Sequence, residues 1–147
     1  MAALALRSST QLEISATAAE VRSASEWVFR MGRAFNVPQE QLDRLDICLN
    51  EALANVIAHN TMGPAPRSVE LKMDIRGDPD AGEAALTLLD DGPAFDVVAA
   101  TLPQRASRLS EAEPGGLGLL MMRSFSDALS YQRVGARNEL RFCVRWA

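Results

Sequence analysis

Hydrophobic and polar residues alternate along this chain with a period that changes from segment to segment, and each change marks an element. In TQLEIS, Thr10 to Ser15, the alternation runs residue by residue, as in a strand with one buried face. From about Ala18 to Phe35 the apolar positions Val21, Ala24, Val28, Met31 and Phe35 fall on one helical face, and Thr17 is available as N-cap. NVP interrupts that helix, and Pro38 suits the first position of a second helix running to about Asn60, where TMGPAP ends it. RSVELKMDI and EAALTLLD, joined by the turn-rich RGDPDAG, read as a hairpin. From Asp91 to Gly118 there is little periodicity beyond a short helical turn near Val97 to Leu102, and loops of that length usually serve function or are disordered. A third helix, about Leu117 to Phe125, leads into two closing strands, ALSYQRV and ELRFCVRW. This order predicts an α+β two-layer sandwich, a mostly antiparallel sheet with helices on one face.

The second helix has a feature that amphipathic packing does not explain. Leu42, Leu45, Leu49, Leu53, Val56 and Ile57 share a face suited to the sheet, while Glu51, Asn55 and His59 form a thin polar row on roughly the opposite side. That row drifts only ~40° per step. Earlier in the helix QEQLDR carries the charges of a solvent face, but after Glu51 the neighbours are alanines, which suggests that a ligand or a lid covers this side. An exposed row on an alanine-rich helix is the plainer alternative. Two further segments concentrate polar chemistry. In LLDDGPAFD an apolar strand runs into two aspartates and a glycine, placing carboxylates at a strand end where the backbone can pass close to a ligand; alone it is also an ordinary turn. In EPGGLGLLMM glycines precede an apolar helix, whose first N–H groups and dipole suit phosphate without needing lysine, a weakly specific signal by itself.

Composition narrows the chemistry. With 147 residues, 48% of them hydrophobic, the chain fits one globular domain over 1–147. A net charge of −4 gives no basic field for nucleic acid or anionic membrane. Lys72 is the only lysine and its context is not the end of a P-loop, which excludes that nucleotide site. His59 is the only histidine, so no histidine-rich metal site and no dyad with a second histidine exists. Cys48 and Cys143 lie in apolar segments without metal-ligand spacing and read as buried free thiols in a reducing compartment. The N-terminal run AALAL is too short for a signal-peptide core and no stretch suits a transmembrane helix, so the expected location is cytoplasmic.

Taken together, E-x-x-x-N-x-x-x-H on a helix, D-x-G at a strand end, a long loop, and G-G-x-G-L before a helix resemble the histidine-kinase-like ATPase superfamily, with its Bergerat fold. EALANVIAHN, DDGPAFD and GGLGLLMMRSFSDALSY look most like the bacterial anti-sigma-factor serine kinases of the RsbW type. The resemblance covers nearly the whole chain. It implies ATP and Mg²⁺ as cofactors, Glu51 as catalytic base or orienter of the acceptor hydroxyl, and Asn55 as the Mg²⁺ ligand. It implies Asp90, before Gly92, as the acceptor for the adenine amino group, which disfavours guanine. Gly115, Gly116 and Gly118, with Leu117 and Leu119, then form the phosphate-side box behind an ATP lid at about 96–114 that carries Arg105 and Arg108. His59 is implied to be a structural or lid contact. The chain departs from many members of the superfamily in having Ala94 where a second glycine often stands.

The function so implied is a cytoplasmic Mg-ATP-dependent serine kinase, a homodimer, that phosphorylates an anti-anti-sigma protein with a STAS domain and sequesters a sigma factor by partner switching. An ATP-gated partner-binding module without useful kinase activity is the alternative. The catalytic fragment of a histidine kinase and an interaction domain with a dead pocket are further readings. Against the former, His59 lies inside the nucleotide motif; against the latter, Glu51, Asn55, Asp90 and Gly116 are intact.

Overall fold

Alternating side chains on consecutive strands must bury the same face, and this requirement sets the register of the sheet in the computed structural model of the chain. The structure describes residues 4–59, 67–96, 98–99 and 114–147. The elements run β1 (Leu6–Ser15), α1 (Ala18–Ala34), α2 (Gln39–His59), β2 (Ser68–Gly77), β3 (Gly82–Asp90), α3 (Pro114–Phe125), β4 (Ala128–Val134) and β5 (Arg137–Trp146). The strands form a five-stranded sheet in the order β1-β2-β3-β5-β4. Every pairing is antiparallel. The α+β sandwich expected from the sequence is the fold observed, with the sheet antiparallel throughout its described strands.

The inward positions of three central strands pair directly across the sheet, Leu71 with Leu88 and Leu88 with Leu140. They join Leu42, Leu45, Leu49 and Leu53 of α2 in one buried cluster. Val56 and Ile57, expected on the same face, are only half-buried, because they lie where α2 passes the end of the sheet. In α1, Ala24 and Val28 are buried as expected, together with Trp27 and Gly32, while Val21, Met31 and Phe35 are half-buried. Gly32 packs directly on α2: a methyl group built on it would stand 2.1 Å from Leu42 Cδ2.

Local signals hold at most boundaries. Thr17 caps α1, its side chain accepting from the Glu20 N–H. Pro38 lies just outside α2 and contributes the first carbonyl, which accepts from the Leu42 N–H. β1 begins earlier than its clean alternation, with an irregularity between Leu6 and Ser8. α3 also begins earlier than its apolar run, so the glycine box lies in the helix rather than ahead of it. Asn60, the TMGPAP segment and Val97 lie outside the described residues. No helix among the described residues is long and apolar enough to cross a membrane.

Candidate active site

The polar row of α2 does not lie squarely opposite the core. Ala54 and Ala58 are the exposed residues there, and the row's drift carries it from Glu51 round to a cleft at the end of the sheet. That cleft is shallow and open to solvent. Ala52, Asn55, Val56 and His59 form one wall, and Leu88, Asp90, Tyr131, Asn138 and Leu140 from three strands form the other. Pro93 and Phe95 close the mouth, where the Phe95 ring stacks on His59. The lining is mostly apolar with a few converging polar groups, the composition that suits a flat heteroaromatic ligand.

Asp90 is the anchor of the polar end. Its position as the last residue of β3 buries it to 8% exposure, and Oδ1 accepts from the Gly92 N–H at 2.9 Å and from Asn138 Nδ2 at 3.2 Å. Among the described residues Oδ2 has no hydrogen-bond partner. Gly92 is held from behind, its carbonyl accepting from Arg133 Nη1 at 2.8 Å. The turn after β3 thus holds the Asp90 carboxylate in the lining of the cleft.

Asn55 presents the second unsatisfied group: its Nδ2 is buried and has no partner among the described residues. Turning the amide over exchanges Nδ2 for Oδ1, so the same buried position can offer an oxygen. One amide oxygen beside a nucleotide's phosphates is a donor set that suits Mg²⁺, which keeps several waters and takes few protein ligands. Among the described residues no cluster of three His, Cys, Asp or Glu forms a larger cage. Asn55 therefore fits the metal role expected of it.

Glu51 lies one turn back along α2 and faces α3 rather than the cleft lining. A methyl group built on Gly118 would stand 2.8 Å from Glu51 Oε2, so the bare glycine leaves room for the carboxylate end in its present position. Among the described residues Glu51 makes no hydrogen bond or ion pair, leaving its carboxylate available. The N-terminal turn of any α-helix leaves N–H groups without intrahelical acceptors. In α3 these belong to Gly115 and Gly116, after Pro114, which has none to offer, while the Leu117 N–H, fourth in the helix, is taken up by the helical ladder. Leu119 is buried in the core, so only its main chain can face a ligand.

Arg105, Arg108 and the rest of residues 100–113, where a lid is expected, lie outside the described residues, as do the side chains of residues 114–117. The described start of the segment expected to form a lid is tied down: Asp96 Oδ1 accepts from the Val98 and Ala99 N–H groups, and Arg123 of α3 donates to the Val98 carbonyl at 2.5 Å. Both cysteines are buried and free, as expected. Burial, and then the Glu51 charge, push the Cys48 thiol up to about 12, so it is no nucleophile.

Sequence reasoning missed Asn138, Tyr131 and Phe95. Asn138 stands just before the segment read as a strand, but it is in phase with Leu140, Phe142 and Val144, which marks it as inward-facing. A polar residue at an inward strand position was the available signal.

The comparison with known proteins agrees with this geometry. Residues 14–144 match the histidine kinase-like ATPase domain family. The serine/threonine-protein kinase BtrW of Bordetella bronchiseptica is 33% identical over 129 residues, which are 88% of each chain.

Proposed function

The chain belongs to the histidine kinase-like ATPase family, and on that premise we propose that it is a cytoplasmic Mg-ATP-dependent protein serine kinase of the anti-sigma-factor type. Its substrate is an anti-anti-sigma protein with a STAS domain, and its other partner is a sigma factor, exchanged by partner switching in a homodimer. The likeness to a serine/threonine-protein kinase over most of both chains supports protein phosphorylation. The observation that carries the reading is the meeting, in the lining of one apolar cleft, of the Asp90 carboxylate and the buried Asn55 amide nitrogen, unpartnered among the described residues.

Each residue has a role that its surroundings support. Asp90 accepts from the adenine amino group, and guanine would set a carbonyl oxygen against that carboxylate. The apolar walls from Leu88, Val56 and Leu140 cover the base. Asn55 would hold Mg²⁺ through its amide oxygen, and the ion would supply neutralising charge to the phosphate oxygens. The N–H groups of Gly115 and Gly116 bind phosphate oxygens beside Leu117, and Gly118 lets α3 lie close to Glu51. Glu51 accepts the proton of the serine hydroxyl as that oxygen bonds to the γ-phosphorus and ADP leaves.

The test is calorimetric titration of ATP and GTP, with and without Mg²⁺, into the wild type and Asp90→Asn. The reading requires ATP to bind in preference to GTP, to need Mg²⁺ for full affinity, and to be lost in the variant. A folded wild type that binds no nucleotide overturns it. Phosphoryl transfer to a STAS-domain protein, abolished in Glu51→Ala while ATP still binds, then separates a kinase from an ATP-gated binding module.

A further inference from the structure

We propose that Asn138 sets base selectivity in the cleft as a positioning residue, acting through Asp90. The inference rests on the nucleotide reading of the cleft. Asp90 and Asn138 stand directly opposite each other in the β3–β5 register, on the face toward the helices, with Asn138 only 7% exposed. Asparagine is depleted in strands, and burying its amide is costly unless its donors and acceptor are paired. Here they are paired many times over. Nδ2 donates to Asp90 Oδ1 at 3.2 Å and to the Pro93 carbonyl at 2.9 Å. Oδ1 accepts from the Tyr131 hydroxyl at 2.5 Å, Arg133 Nη1 at 3.1 Å and the Phe95 N–H at 3.4 Å.

This set of partners permits one orientation. Turning the amide over would place its oxygen against the Asp90 carboxylate and its NH₂ against two groups that can only donate, Arg133 Nη1 and the Phe95 N–H. With the amide fixed, Asp90 Oδ1 is held by two donors and the carboxylate plane cannot rotate freely. One acceptor of fixed direction, Oδ2, remains for the base. Such an acceptor accommodates an exocyclic amino group and repels a carbonyl oxygen in the same place, so selectivity depends on the plane being held. The same amide also holds Pro93 and Phe95 at the cleft mouth. Asn138 thereby fixes the acceptor and the wall beside it together.

The experiment measures dissociation constants of the full chain for ATP, GTP and purine riboside triphosphate, which lacks the 6-amino group. Asn138→Ala is expected to weaken ATP about tenfold, to leave purine riboside triphosphate within about twofold, and to reduce the ATP-over-GTP preference about tenfold. Tyr131→Phe removes one donor to Asn138 and keeps the ring, and should show the same pattern at about twofold to threefold. It reads the proposal even if Asn138→Ala does not fold. Equal weakening of all three nucleotides, or no change in the ratios, overturns the positioning role while leaving the nucleotide reading intact. A folded wild type that binds none of the three overturns the nucleotide reading and this inference with it.

Discussion

The imidazole of His59 lies on the ring of Phe95, centroids 4.2 Å apart and planes inclined by 28°. Neither residue is near the other in sequence. The stack joins the last turn of α2 to the segment that follows β3, and both rings line the cleft mouth. It gives the only histidine a packing role, remote from the carboxylate of Glu51.

Removing one ring should therefore affect binding and spare chemistry. An aromatic pair contributes about 0.5–1.5 kcal/mol beyond its buried area, so Phe95→Ala is expected to weaken ATP by roughly twofold to tenfold. His59→Ala should behave similarly, with phosphoryl transfer at saturating ATP unchanged. A large fall in kcat for His59→Ala would contradict the packing role.

Gly118→Ala separates stability from activity. Alanine within a helix is favoured over glycine by about 1 kcal/mol, so Tm should hold or rise. The new methyl would meet Glu51 Oε2 at 2.8 Å and turn the carboxylate away. Transfer to the serine substrate is expected to fall about tenfold to a hundredfold, since small misplacements of reacting groups cost that much. Paired melting and kinetic measurements decide it, and an unaltered kcat would remove Glu51 from the transfer step.

Gly32→Ala has the opposite balance. Its methyl would stand 2.1 Å from Leu42 Cδ2, in the buried contact between α1 and α2. Overpacking costs about 1–3 kcal/mol, more than the helix propensity gained. Urea denaturation should show a net loss of up to about 2 kcal/mol. A stabilised variant would mean that the two helices can move apart at little cost.

Alkaline pH should destabilise the fold through Cys48. Its thiol is raised from 9.0 to about 12 by burial and then by the Glu51 charge, so the folded state keeps a proton that the unfolded state releases. Below pH 9.0 both states hold the proton and nothing is lost; from there upward stability falls, until the folded thiol also titrates near 12. This group contributes a slope of at most about 1.4 kcal/mol per pH unit. Cys143 is raised in the same direction by burial and then by Glu83, so part of the slope remains without Cys48. Cys48→Ala should make the decline between pH 9 and 10.5 shallower in denaturant titrations; an identical slope would contradict the assignment.

Much of the fold could be read from the chain because its signals are local. The alternation in SVELKMDI, the helical spacing of Leu42, Leu45 and Leu49, and the Thr17 cap each specify an element within a few residues. The same holds for the pieces of the site: Glu51, Asn55 and His59 share a helix, and Asp90 and Gly92 share a strand end. What the chain alone left undecided is where those pieces meet. The hairpin of β4 and β5 is visible in sequence, but that β5 rather than β4 pairs with β3 is decided when the sheet assembles, and only that pairing sets Asn138 opposite Asp90. The direction of the polar row, the stack of His59 on Phe95 and the passage of Gly118 beside Glu51 depend in the same way on packing between distant segments. Local sequence determined the elements and their chemical groups, because backbone geometry and burial act over a few residues. Tertiary structure decided which groups face one another, because strand register and helix approach are set by the core as a whole.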